Sequence, residues 1–168
     1  MRLFNQLLDA KNLPEFKHKI DILSPVSGNM NMLDTANPLI FKQRLFGEGA
    51  VINPIGFQIL APFDGIVLDI SETAHRIRIK DRHGLKLQIH CGWEAQKLNG
   101  DGFKRKVTVG QKLALGQPIL DFDARKLKLA LNDNAFYITL LNSDKVKGLL
   151  INPRKVTACE DHIFSVLI

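Results

Sequence analysis

Two histidines carry the chemistry that this chain offers most clearly. His75 ends the run Glu72-Thr73-Ala74-His75, and His90 ends Leu87-Gln88-Ile89-His90. A neutral imidazole is a competent nucleophile near pH 7, because its reference pKa is about 6.5. A phosphoryl group carried on one ring presents several charged oxygens. A second imidazole N–H can donate a charge-assisted hydrogen bond to them. The same donor would hold charge in the transition state, where positioning and electrostatics supply most of the catalysis of phosphoryl transfer. Thr73, two residues before His75, is placed to orient the second ring.

The flanking pattern says how the two rings could meet. In His75-Arg76-Ile77-Arg78-Ile79-Lys80 the isoleucines share one strand face and Arg76, Arg78 and Lys80 the other. In Leu85-Lys86-Leu87-Gln88-Ile89-His90 the apolar residues again alternate with Lys86, Gln88 and His90. Burial sets the register of such a hairpin. Ile77 must oppose Ile89 and Ile79 must oppose Leu87, which leaves the loop Arg82-His83-Gly84, with Gly84 suited to a left-handed position. His90 then faces Arg76 on an exposed polar face, with His75 one step beyond. A regular strand would point the two imidazoles to opposite faces, so they meet only if the backbone twists or bulges around Ala74 and His75. The pattern alone leaves two readings open. A lone histidine on the polar side of a strand is most often only solvated; a pair is a phosphoryl carrier.

The remaining chain supplies the scaffold. Its 168 residues fit one domain, and 45% hydrophobic with 24% charged residues describes a globular protein. No apolar run is long enough to cross a bilayer, and Asn5, Gln6 and Asp9 interrupt any leader, which points to the cytoplasm. Cys91 and Cys159 form no framework, and Cys91 should be a buried thiol on the apolar face of its strand. A net charge of +6 favours acidic partners, but no motif suggests nucleic acid. The basic cluster Lys104-Arg105-Lys106 with Arg125, Lys126 and Lys128 reads as a partner face or a solvated surface.

Leu3, Phe4, Leu7 and Leu8 predict a short amphipathic helix over 1–13, followed by a linker over 14–19, with the domain running from 20 to 168. Short apolar runs between Gly, Pro, Asn and Asp predict strands at 20–24, 39–46, 50–53, 57–61, 65–70, 75–81, 85–91, 112–114, 118–122, 135–141, 155–159 and 163–167. Short helices are expected at 124–131 and 143–147. The fold class is all-β, a flattened antiparallel sandwich or barrel. Ser24-Pro25-Val26-Ser27-Gly28 and Ala61-Pro62-Phe63-Asp64-Gly65 share a small-Pro-x-x-Gly pattern that hints at a duplicated unit.

Those two stretches, with Gly47-Glu48-Gly49-Ala50-Val51-Ile52-Asn53-Pro54, Glu72-Thr73-Ala74-His75, Leu87-Gln88-Ile89-His90-Cys91-Gly92 and Leu98-Asn99-Gly100-Asp101-Gly102-Phe103, come in one order from about Ile22 onward. In them the chain resembles the glucose-type IIA domain of the bacterial phosphoenolpyruvate-dependent sugar phosphotransferase system. The resemblance implies an antiparallel β-sandwich of the duplicated hybrid-motif type. It implies that His90 accepts a phosphoryl group from the histidine phosphocarrier protein and passes it to a cysteine of a sugar transporter's IIB domain. His75 then stabilises the phosphate and Thr73 orients His75. The resemblance also implies docking through Ile40, Phe41, Ser71, Gln88 and Glu94, and regulatory binding of permeases or metabolic enzymes in the unphosphorylated state. No cofactor is required, but a zinc ion at a partner interface would be held by His75 and His90. Residues 1–13 would contact anionic membrane, making the protein peripheral at the inner membrane face.

The sequence departs from the family at Ser71 and Gln88, polar where the rim is usually aromatic, and at Pro38, where an acidic residue is expected. Cys91 and Trp93-Glu94 also differ from the usual residues. Two other readings stand beside the phosphocarrier: a regulatory module switched by histidine phosphorylation, and a zinc hydrolase. The last needs a third protein ligand, for which Glu94 is the nearest candidate.

Overall fold

Alternation of apolar and polar side chains builds fourteen short strands within residues 7–168, the part of the chain that this computed structural model describes. They are β1 (Lys19–Leu23), β2 (Ser27–Met32), β3 (Glu48–Ile55), β4 (Gln58–Leu60), β5 (Gly65–Ile70), β6 (Arg76–Asp81) and β7 (Lys86–Cys91). The second half adds β8 (Phe103–Arg105), β9 (Lys112–Leu113), β10 (Pro118–Phe122), β11 (Phe136–Leu140), β12 (Gly148–Leu150), β13 (Arg154–Val156) and β14 (His162–Leu167). Two short α-helices, α1 (Leu39–Lys42) and α2 (Ala124–Ala130), interrupt them.

Eight strands form one sheet in the order β13-β2-β3-β11-β7-β6-β5-β9. Two three-stranded sheets, β1-β14-β12 and β4-β10-β8, complete the sandwich. Every strand ladder among the described residues is antiparallel. Side chains from all three sheets pool in one core that includes Ile52, Ile59, Ile77, Leu87, Ile89, Phe136 and Phe164. Burying each such side chain stabilises the fold by roughly 1.5–3 kcal/mol. The first small-Pro-x-x-Gly segment is tied to the end of β4, just ahead of the second, with the Leu60 N–H on the Pro25 carbonyl at 2.9 Å.

The other face of the large sheet is also covered. A smaller cluster of Leu33, Ala36, Phe41, Val51, Ala135 and Tyr137 packs there, with Ile40, Phe46 and Trp93 at its edge. It forms because residues 39–46, expected as a strand, make the single turn of α1 followed by tight turns. Such a short apolar run fits a strand or a helix equally well by periodicity. Pro38 at the start (φ −68°) and the stacking of Phe41 on Tyr137, with ring centroids 4.1 Å apart, decide for the helix.

Three strands, β2, β8 and β12, lie outside the sequence expectations. Gly, Asn, Lys and Arg give them poor intrinsic β preference. Partners hold them instead: β2 is paired on both sides, by β13 and β3. The helix expected over 143–147 is one 3-10 turn, Ser143–Lys145. The expected N-terminal helix falls partly outside the described residues, at 1–6. Over 7–13 it is absent: Leu7 bridges Leu149, the Leu8 N–H donates to the Leu149 carbonyl, and Asp9 closes a turn with Lys11 and Asn12. Pairing with the domain takes the backbone hydrogen bonds that a helix would use.

One contact tests this packing. Gly49 opposes Thr139 in the β3–β11 ladder, and a Cβ on it would lie 2.0 Å from the Ile138 carbonyl oxygen. Gly49→Ala should destabilise the protein by about 1–3 kcal/mol through overpacking. Urea unfolding should show a lower midpoint with the slope unchanged.

Candidate functional site

The β6–β7 hairpin has the register that its hydrophobic pattern demands. Arg76 pairs with His90, Ile77 with Ile89, Arg78 with Gln88 and Ile79 with Leu87. The loop is held by the Asp81 carboxylate, which accepts the N–H groups of His83 and Leu85 at 2.9 and 2.8 Å, and Gly84 is left-handed (φ +85°). His75 stands one residue ahead of β6. Ala74 before it has φ +59° and closes a turn onto the Ser71 carbonyl at 2.9 Å. This kink brings the two imidazoles together despite the strand alternation. Their ring centroids lie 5.1 Å apart with planes at 84°. The Cys91 N–H donates to the His75 carbonyl at 2.7 Å and pins that backbone to β7.

Two hydroxyls fix the His75 ring. Thr73 Oγ1 lies 2.7 Å and Ser71 Oγ 3.2 Å from Nδ1, and Ser71 Oγ also accepts the Arg76 N–H at 3.1 Å. The neighbour expected from sequence, Thr73, is therefore joined by Ser71, expected only as a rim residue. These bonds leave Nε2 as the nitrogen not engaged by the hydroxyls.

His90 sits against aromatic walls. Phe41 meets it edge-on at 5.4 Å and Trp93 lies 5.9 Å away. Tyr137 faces it across the β7–β11 ladder and hydrogen-bonds through its hydroxyl to Asp133. The Phe136–Leu140 alternation could have shown this, since it sets Tyr137 and Thr139 on the face of His90 and Gln88. His90 is 8% exposed, and no side chain hydrogen-bonds either of its ring nitrogens, the Gly92 backbone being the polar group that acts on the ring.

The polar face is thus closed rather than exposed, because the Phe41 and Tyr137 cluster covers it. Gln88 and Phe41 are fully buried and offer no docking surface. Gln88 instead accepts the Arg78 Nε–H at 2.8 Å. The exposed apolar side chains on this segment are Leu39 and Leu45, at 62% and 67% exposure, with Ile40, Ser71 and Glu94 half-buried.

Burial holds both rings neutral. For His90 desolvation is the largest cause, His75 and Arg76 add to it, and the Gly92 backbone opposes it, leaving the pKa lowered to about 3. His75 is lowered by burial and by Arg76. Both are therefore in the nucleophilic, uncharged form at neutral pH. Cys91 points into the core, and burial pushes its thiol up, which makes it unreactive.

With this geometry in place, the likeness to known proteins is clear. Residues 20–146 match the model of the phosphoenolpyruvate-dependent sugar phosphotransferase system family EIIA 1. The chain belongs to that family. A glucose-specific EIIA component of Buchnera aphidicola subsp. Baizongia pistaciae is 30% identical over 166 residues, covering 99% of each chain. A lactose permease of Lactobacillus delbrueckii subsp. bulgaricus is 34% identical over 131 residues, 78% of this chain but 21% of the permease. The solved glucose permease IIA from Mycoplasma capricolum shares the fold, with a TM-score of 0.80 at 22% identity over 89% of this chain and 96% of that one.

In this EIIA chain no third His, Cys, Asp or Glu joins His75 and His90 among the described residues. Glu94 pairs with Lys97 at 2.6 Å instead. The ligand set that a zinc hydrolase needs is therefore incomplete. The basic residues in and beside β8 and α2 are partly neutralised, Lys106 by Asp121 at 3.0 Å and Lys126 by Asp101 at 2.6 Å.

The buried histidines have a pH signature. The unfolded chain takes up a proton at His90 near pH 6.5, whereas the folded chain does so near 3. Stability from this group is complete above pH 6.5 and is lost as pH falls toward 3. Between pH 7.5 and 5.0 the protein should lose on the order of 1–2 kcal/mol by urea unfolding. His90→Gln should lose distinctly less over the same interval.

Proposed function

We propose that this EIIA chain is a phosphocarrier that accepts a phosphoryl group on His90 and passes it on to a sugar transporter component. The observation that carries the reading is a neutral, buried imidazole with no side-chain hydrogen bond at either nitrogen, beside a second imidazole locked by two hydroxyls. The donor is a phosphohistidine on the general histidine phosphocarrier protein. A ring nitrogen of His90 attacks phosphorus as the donor's P–N bond breaks, and the electron pair returns to the donor's ring. In the second transfer a cysteine thiolate of the IIB domain attacks, the P–N bond to His90 breaks and a P–S bond forms. His75, positioned by Thr73 and Ser71, donates an N–H to the phosphoryl oxygens in both steps.

The protein works in the cytoplasm, where these partners meet. Docking uses the apolar rim of Leu39, Ile40 and Leu45 with Ser71 and Glu94. The same rim serves permeases or metabolic enzymes when His90 is unphosphorylated. The two imidazoles also suit a zinc ion whose remaining ligands come from a partner.

Incubation with labelled phosphoenolpyruvate and the general phosphotransferase proteins should place one acid-labile, base-stable phosphate on the chain. His90→Ala should remove it, and a label that persists there refutes the assignment. His75→Gln should slow transfer about 100-fold. Thr73→Val should slow it about tenfold, since it frees the His75 ring.

A further inference from the structure

The site holds a cation that the reading above leaves unused. Arg76 lies directly opposite His90 in the β6–β7 ladder. Residues so paired have Cβ atoms about 4.5–5.5 Å apart on one face. Its Nη2 donates to the Asp69 carboxylate at 2.8 Å, while its Nε is buried without a partner. The pair is part-exposed, at 30% for Arg76 and 45% for Asp69, so the guanidinium has room to move. The next arginine along the strand, Arg78, is held on Gln88.

A fixed positive charge here helps to keep both imidazoles unprotonated in the empty site. It also attracts an anion that arrives. A phosphoryl group on a side chain brings about −1.5 to −2 charge. A guanidinium presents a planar fork that matches phosphate oxygens, which an ammonium does not.

We propose that Arg76 is a phosphoryl-binding residue, whose guanidinium is shared between Asp69 and the phosphoryl group on His90, so that Asp69 competes with the phosphate for it. The proposal rests on His90 being the phosphoryl acceptor. It makes this face of β6 a device that sets how strongly the chain retains its phosphoryl group relative to donor and acceptor. Arg76 binds the product oxygens from the neighbouring strand, and Asp69 tempers that hold so that onward transfer stays feasible.

The test is the equilibrium between phosphorylated donor and phosphorylated EIIA, read with labelled phosphoenolpyruvate at limiting donor. Arg76→Gln should shift it about tenfold toward the donor. Asp69→Asn should shift it about threefold the other way, because it releases the guanidinium. Raising the salt concentration should weaken retention in the wild type and change it little in Arg76→Gln. Urea unfolding of each variant separates loss of fold from loss of binding. Shifts in the same direction for both variants, or both constants within twofold of wild type, overturn the proposal. A wild-type chain that takes no label on His90 refutes the phosphocarrier reading instead, so the two failures are told apart.

Discussion

The cross-strand register between β6 and β7, ended by one left-handed residue, is the constraint on which the site depends. Ile77 against Ile89 and Ile79 against Leu87 put the apolar halves of both strands into the core. A slip of one residue would turn His90 inward and the isoleucines outward, at a cost of several buried side chains. The same register carries Arg76 to His90. Ala74, left-handed although it is not glycine, then breaks the alternation and brings His75 beside its partner. A local strain of about 1–2 kcal/mol is held in place by the large number of contacts that surround it.

The site is polar matter enclosed by hydrophobic packing. His90, Gln88 and Thr139 lie in adjacent rows of one sheet face, and Gln88 Nε2 and Thr139 Oγ1 are buried without a hydrogen-bond partner. Leaving such atoms unpaired costs roughly 1–3 kcal/mol each. Burial also strips the imidazoles of solvent, and this loss keeps them neutral and nucleophilic. The aromatic wall itself comes from far along the chain, with Phe41 from α1, Trp93 after β7 and Tyr137 from β11.

Much of this is legible in the sequence. The period-two alternation over 75–91 predicts the hairpin, its loop and the pairing of His90 with Arg76, and all three are present. The all-β sandwich follows from many short apolar runs between turn residues. Less legible were segments whose own preferences are weak or ambiguous. β2 is rich in Asn and Gly and becomes a strand because two neighbours pair with it. Residues 39–46 read as a strand, yet they turn as a helix that closes the polar face. The docking roles that the family resemblance implied for Phe41 and Gln88 meet two buried side chains.

The chain by itself therefore determined the residue types able to carry a phosphoryl group, the strand that bears His90 and the register that aims it, because alternation and burial are local properties of sequence. The tertiary structure decided how deep the histidines lie, that Ser71 joins Thr73 on His75, and that Arg76, opposite His90, forms an ion pair with Asp69. Those depend on distances between side chains from separate segments. Desolvation and charge pairing act through space, and no spacing along the chain encodes them.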